Sequence, residues 1–406
     1  MRGGRDRLFY DDVLKVREKV KAQAPQVTEV IVASTHDHEG PDTLGLWGPT
    51  PFQSGMDEKY MDWLDDRIAS TAVHSMRNAR LTLGRDDHPL LALLQSDSRP
   101  PYVKDPYLFV MQAKALADGH PLATLVNWGD DPETLAGQNT LITADFPHWL
   151  CLYVESHEGG TAVFFQGSIG GLISSLGEDV ALQDPETGQV VKDGTRRKAE
   201  LFGITLGQLA TRALKNGQDA PVDSLRLRKA VIFTPLDNDR FRAAGALKLY
   251  KARKPLYTDG RIDSSTAEKV FPGLGKLPCA TGHDLQTEVE YIQLLNHGQK
   301  LAEITTVPGE IYPELVNGGI ARYPGADFPD APLEPALRDH LHSRYQFVFG
   351  LANDELGYII PKAEWDNQPP WLQNKKDRWY GEINSAGEEV AGAVTRALVG
   401  LMEEAP

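Results

Sequence analysis

At 406 residues with 41% hydrophobic side chains, the chain is long enough to bury a large core, as one big domain or two of ordinary size. A formal charge of −15 and a pI near 5.2 argue against general affinity for nucleic-acid phosphates or anionic lipid headgroups, and leave a neutral, apolar substrate open. Cys151 and Cys279 are the only cysteines, so neither a disulfide framework nor a Cys-rich zinc site is indicated, and no apolar run approaches the roughly 20 residues that span a membrane.

In chain order, the apolar spacing of Leu8, Val13, Leu14, Val16 and Val20 predicts a helix over 8–22, followed by a strand over 27–35. A second long helix is expected over 60–83, with Met61, Leu64, Ile68, Ala72, Met76 and Ala79 on one side. Strand-like runs recur at 123–128, 161–165, 229–234, 302–307 and 345–351, and helical patterns at 196–216, 285–295 and 388–402. This alternation predicts an α/β fold, a layered mixed β-sheet core with flanking helices. Two polar stretches, 184–194 and 251–275, read as surface loops rather than boundaries, so residues 1–406 are expected to form a single catalytic domain. The start, MRGGRDRLFYDD, lacks the apolar segment of a secretory signal; the cytoplasm is the default compartment, with a secreted or periplasmic location open if the N-terminus is truncated.

The informative regularity lies at the carboxyl end of each apolar strand. VIVAST runs into His36 and His38, whose spacing of two puts both imidazoles on one face of an extended segment. ATLVNW leads to Gly129-Asp130-Asp131-Pro132-Glu133, TAVFFQ to Gly167-Ser168-Ile169-Gly170-Gly171, ITTV to Pro308-Gly309-Glu310, and FVFGLA to a stretch ending in Gly357-Tyr358. In open α/β sheets, ligands sit beyond the carboxyl ends of strands. Imidazole nitrogen and carboxylate oxygen suit zinc, which in catalytic sites takes about three protein ligands and a water. His36 or His38, Asp131 or Asp130, and Glu310 would fill that inventory. Each also has an ordinary reading: the Asp130-Asp131-Pro132 run suits a turn or a helix cap, and Glu310 the first turn of a helix. Gly167, Ser168 and Gly170 offer a backbone-lined oxyanion pocket, although their spacing is not that of a serine nucleophile elbow.

Taken together and in order, AST-HDHEGPD, LVNWGDDPETL, GGTAVFFQGSIGG, VPGEIYPEL and GLANDELGYIIP resemble the catalytic domain of the neutral/alkaline non-lysosomal ceramidases and their bacterial relatives. The resemblance implies a zinc amidohydrolase that cleaves the N-acyl bond of ceramide. It further implies His36, Glu310 and Tyr358 as metal ligands, His38 as the neighbouring group that stabilises the oxyanion or relays a proton, and Tyr380 as the tyrosine that polarises the scissile carbonyl. Where the family has His-Pro, this chain has Asp131-Pro132, so one imidazole ligand becomes a carboxylate. Zinc tolerates the exchange, but the added negative charge makes its bound water less acidic. The family's Ser-Pro after the Gly-rich turn corresponds here to Ile173-Ser174, and the immunoglobulin-like domain that ends many members is not expected. The partner is therefore expected to be a small lipid or N-acyl amine and no nucleic acid, with room for peripheral membrane contact. The alternatives are a hydrolase of another N-acyl amine or ester, and a binding protein on the same scaffold.

Overall fold

The computed structural model describes residues 7–50, 52–171, 173–177, 179–247, 249, 257–258, 261–262 and 284–404. Most of the loop expected at 251–275, and Cys279, lie outside them.

Two β-sheets form the middle of the molecule. In the first, strands β1 (Ala79–Asp86), β2 (Leu108–Ala115), β3 (Pro121–Trp128), β4 (Thr161–Gln166) and β5 (Gln218–Ala220) lie in the order β4-β3-β2-β1-β5, antiparallel except for the parallel β3/β4 pair. The second is built on β6 (Ser224–Pro235), β7 (Asp284–Asn296), β8 (Gln299–Thr306) and β10 (Tyr345–Phe349), with β8 and β10 parallel and the short strands Tyr257–Thr258 and Arg261–Ile262 alongside. A separate two-residue ladder pairs β9 (Glu310–Ile311) with β11 (Tyr358–Ile359) in parallel.

The sheets face each other across an apolar layer: Leu83, Phe109 and Ala220 from the first meet Ile292, Ile304, Phe347 and Phe349 from the second. Helices cover both outer faces. Against the first sheet pack α3 (Asp145–Glu158) and α4 (Arg196–Lys215), whose Phe146, Leu150, Phe202 and Leu206 interlock with Val110, Val126 and Phe164. Thr195 caps α4 by accepting from the Lys198 amide. Against the second packs α5 (Val390–Glu403), whose Val390, Val394, Leu398 and Leu401 recur at helical spacing and meet Val289 and Tyr291. The N-terminal helices α1 (Tyr10–Gln23) and α2 (Glu58–His74) pack on one another, through Val13 and Met61 among others, with α2 started by the Asp57 carboxylate. The layered α/β expectation holds, as helix, sheet, sheet, helix.

Three expected elements differ. The helix expected over 285–295 is β7, a central strand buried on both faces; Leu285, Val289 and Tyr291 alternate with Gln286, Glu288 and Glu290 only as far as Tyr291, after which Ile292, Leu294 and Leu295 break the alternation, and Leu285, Val289, Ile292 and Leu295 mimic helical spacing. The helix expected over 60–83 stops at His74, and its last third becomes β1. The strand expected over 27–35 is extended, but makes only an isolated bridge from Ala33 to Ala352, with the Ser34 amide on the Leu351 carbonyl and the Asn353 amide on the Val32 carbonyl. Cys151 is half-buried, and burial pushes its thiol up to about 12. Among the described residues no helix is long and apolar enough to cross a membrane.

The sheet order places the carboxyl ends of β3, β4, β8 and β10 together. Asn127 clamps them: its side-chain amide donates to the carbonyls of Phe165, Gln166 and Val348, and its oxygen accepts from the Val348 amide. Gly350 can follow only because it lacks a side chain, since a Cβ there would lie 2.2 Å from the Gly167 carbonyl oxygen.

Candidate functional site

Beyond these strand ends, chain segments remote in sequence meet. His36 is fully buried and adopts φ 64°, a left-handed conformation that costs a non-glycine residue energy and collects at functional sites. Its turn is held against the β10–β11 connection, where Asn353 accepts from the Val32 amide and is itself left-handed at φ 67°. Gln166, at the end of β4, has no exposed surface and donates its amide to the carbonyls of Thr35 and Asp130, while its oxygen accepts from the Asp130 amide. One side chain thereby sets the backbone immediately before His36 and Asp131. Glu310 opens β9, placed opposite Tyr358 of β11 by the ladder register.

The resulting geometry is compact. His36 Nε2 lies 3.5 Å from Asp131 Oδ1 and 3.8 Å from Glu310 Oε2. His38 Nε2 lies 3.7 Å from Asp131 Oδ2, its Nδ1 3.3 Å from Glu133 Oε2, and the two imidazole centroids are 4.9 Å apart. Glu133 in turn accepts from the Ser174 hydroxyl. One ligand atom each from His36, His38 and Asp131 fits within 4.8 Å, an arrangement that could hold a metal ion. Tyr358 is buried, and its ring stands 6.3 Å from Tyr312 and 6.0 Å from Tyr380, both edge-on. Tyr380, in the short helix Tyr380–Ile383, is 41% exposed.

Two residues that sequence reasoning missed sit in the same place. Arg7 is buried, and its guanidinium touches both nitrogens of His36 at 3.0 Å, Glu310 Oε1 at 2.5 Å and Glu355 Oε1 at 3.1 Å. Glu355 is pushed up to about 7 by burial and by Glu310, against the opposing pull of Arg7. Nothing local in the polar start of the chain marks Arg7, and Glu355 lies unmarked inside a stretch notable for its tyrosine.

The pocket is short of positive charge. Asp130 is fully buried with both carboxylate oxygens lacking a hydrogen-bond partner, and burial, then Asp131 and Glu133, hold it well above the usual carboxylate range. The second oxygens of Glu310 and Glu355 are likewise buried without a hydrogen bond. Such orphaned acceptors are costly unless a cation or proton meets them. In a tetrahedral site with bonds near 2.0–2.1 Å, donor atoms stand roughly 3.3 Å apart, close to the separations of His36 Nε2 from Asp131 Oδ1 and from Glu310 Oε2. The donor set therefore fits a divalent metal.

The residues expected to form an oxyanion pocket are engaged elsewhere. The Gly167 amide donates to the Trp128 carbonyl, the Gly170 amide to the Ile311 carbonyl, and the Ser168 hydroxyl to Asp105, which is paired with Arg338. This turn braces the Glu310 strand. A Cβ on Gly170 would fall 2.4 Å from the Tyr312 ring, so the glycine is needed for that close approach.

Replacing Gln166 by leucine removes this partner from the buried Asp130 amide and from the Asp130 and Thr35 carbonyls. The change should cost about 1–3 kcal/mol per buried group left unpaired, read by denaturant unfolding, and weaken metal uptake with it. A second expectation concerns pH. Beside the site, Asp97 and Glu364 are each pushed up to about 7, chiefly by burial, and Asp65 under α1 to about 6. Carboxyls whose folded pKa is raised stabilise the fold fully below about pH 4, and that stabilisation is lost as pH climbs through 6 to 7. The melting temperature of chelator-treated protein should accordingly fall between pH 5 and pH 8, and a flat or rising profile over that range would contradict the assignment.

No family model and no curated protein matches this chain. Solved structures do. The neutral ceramidase of Pseudomonas aeruginosa superposes with a TM-score of 0.63 at 16% identity, over 98% of this chain and 64% of that one. A ceramidase complexed with C2 gives 0.62 at 16% identity, over 98% and 65%. The chain spans just under two thirds of the length of these neighbours. What the likeness establishes at such identity is architecture: the protein has the mixed α/β fold of neutral ceramidase.

Proposed function

We propose that this pocket hydrolyses an N-acyl amide bond, in ceramide or a related N-acyl lipid, with the help of a divalent metal, zinc being the best match to its nitrogen and oxygen donors. One observation carries the reading: the buried His36 imidazole lies 3.5 Å from Asp131 and 3.8 Å from Glu310, side chains that come from two other, distant segments of the chain. The solved neighbours described as ceramidases support the substrate class. His36, Asp131 and Glu310 would hold the ion, with Tyr358 beside Glu310 as a further ligand. When bound, zinc polarises a carbonyl and lowers the pKa of a water molecule to about 7.

The chain's own groups divide the remaining work. His38, set between Glu133 and Asp131, is placed to take a proton at one ring nitrogen and return it to the departing amine, while the Glu133 carboxylate orients the ring through the other nitrogen. Tyr380, partly exposed and packed edge-on against Tyr358, supplies a hydroxyl for the developing oxyanion. Asp131 in an imidazole's place raises the negative charge around the ion, which would favour a less acidic water and a more alkaline working range.

The test is direct. Purified protein, stripped with chelator and reloaded with zinc, is incubated with N-acylsphingosine in detergent micelles and with short N-acyl amines and esters, and free fatty acid is followed by mass spectrometry. Metal-dependent release is expected; release from the short compounds alone would narrow the substrate, and no release from any of them would sink the hydrolase. Arg7 in the centre of the donor set favours a second reading, a metal-free protein that binds N-acyl lipid without cleaving it, for which zinc uptake would be absent and lipid binding retained.

A further inference from the structure

Arg7 lies where a metal would bind. Its Nη2 is 2.5 Å from Glu310 Oε1 and 3.0 Å from His36 Nε2, and its Nε is 3.0 Å from His36 Nδ1. A neutral imidazole has a single acceptor nitrogen. A guanidinium that contacts both ring nitrogens therefore takes the one lone pair an ion needs, and it takes Glu310 Oε1 as well. Glu355 anchors the far side of the guanidinium at 3.1 Å. The whole arrangement is buried, with Arg7 exposing 7% of its side chain and Glu310 none.

We propose that Arg7 is a built-in competitor for the metal site: its guanidinium and a divalent cation engage the His36 imidazole and the Glu310 carboxylate in turn, so that metal uptake requires Arg7 to withdraw. The proposal rests on the metal-dependent reading above. It gives Arg7 control over loading, because the positive charge that stabilises the metal-free pocket is the same charge that opposes the incoming ion. An arginine suits this task better than a lysine, since a planar fork reaches an imidazole and two carboxylates at once.

The experiment is a zinc titration of chelator-stripped protein against a chromophoric zinc chelator, with wild type, R7M and R7K, alongside melting curves with and without zinc. R7M is expected to bind zinc at least tenfold more tightly than wild type. Without zinc it should melt lower than wild type, because Glu310 and Glu355 lose their counter-ion, and zinc should raise its melting temperature more than that of wild type. R7K separates occupancy from charge: it keeps the charge but cannot span the same atoms, so its affinity should fall between the two. Equal affinity for wild type and R7M overturns the competition while leaving the metal site standing. R7K matching wild type while R7M gains also overturns it, since charge alone would then suffice. Zinc binding by none of the three removes the metal reading itself, and the competition with it.

Discussion

Replacing Glu310 by glutamine is expected to weaken zinc binding by on the order of 10²-fold or more and to abolish measurable N-acyl hydrolysis. The carboxylate is fully buried, stands 3.8 Å from the His36 imidazole, and has one oxygen with no hydrogen bond at all. Glutamine keeps its shape but has no charge and only one acceptor, so the change removes what a cation binds while leaving the backbone ladder to Tyr358 untouched. Even the loss of a group that merely supports a ligand commonly costs 10–100-fold in metal affinity, and a ligand should cost more. Fold integrity is checked by circular dichroism, zinc by titration, and turnover by fatty-acid release. Wild-type turnover in a folded E310Q protein would remove Glu310 from the chemistry.

Arg99→Met should be the most destabilising single change near the site, at about 3–5 kcal/mol by denaturant unfolding. Arg99 is 2% exposed; it donates to Glu382 at 2.8 Å and to the Glu364 carbonyl at 2.7 Å, and its guanidinium lies 4.5 Å from the centre of the Trp379 ring. Methionine fills much of the volume but leaves the fully buried Glu382 without its counter-ion, in a region that also holds Glu314 and Glu364, both raised chiefly by burial. Glu382 and Trp379 flank Tyr380, so the damage should reach the pocket as reduced hydrolysis. The double variant R99M/E382L removes the stranded charge and should recover part of the loss; if R99M alone is neutral, the ion pair is not holding this wall.

How much of this was legible in the sequence depends on where the information lies. The positions of Asp131 and Glu310 beyond strands, and of His36 beyond an apolar run, could be read because apolar runs and the turn residues after them are local signals. The β3 and β4 strands, α1, α4 and α5 were readable for the same reason. β7 was not, because its alternation breaks after Tyr291 where both faces turn apolar, and the spacing of Leu285, Val289, Ile292 and Leu295 was as good a match to the wrong element. Gln166, Arg7 and Glu355 escaped because each acts through partners far away in the chain: Gln166 reaches back 131 residues to Thr35, and Arg7 forward 303 to Glu310. The Gly-rich turn was legible as special, and its Gly167 and Gly170 amides and Ser168 hydroxyl are engaged by Trp128, Ile311 and Asp105, partners that no local pattern announces.

Gln166 carries one more implication. Because a single amide fastens the backbone just ahead of both His36 and Asp131, the donor atoms are carried on an inner frame, while the polypeptide farther out, around Phe52 on one side and around Leu141 and Ile142 on the other, lies exposed. Lengthening or recutting those outer stretches would reshape what enters the cleft without disturbing the atoms that do the chemistry, which makes this scaffold amenable to grafting new acyl or amine preferences.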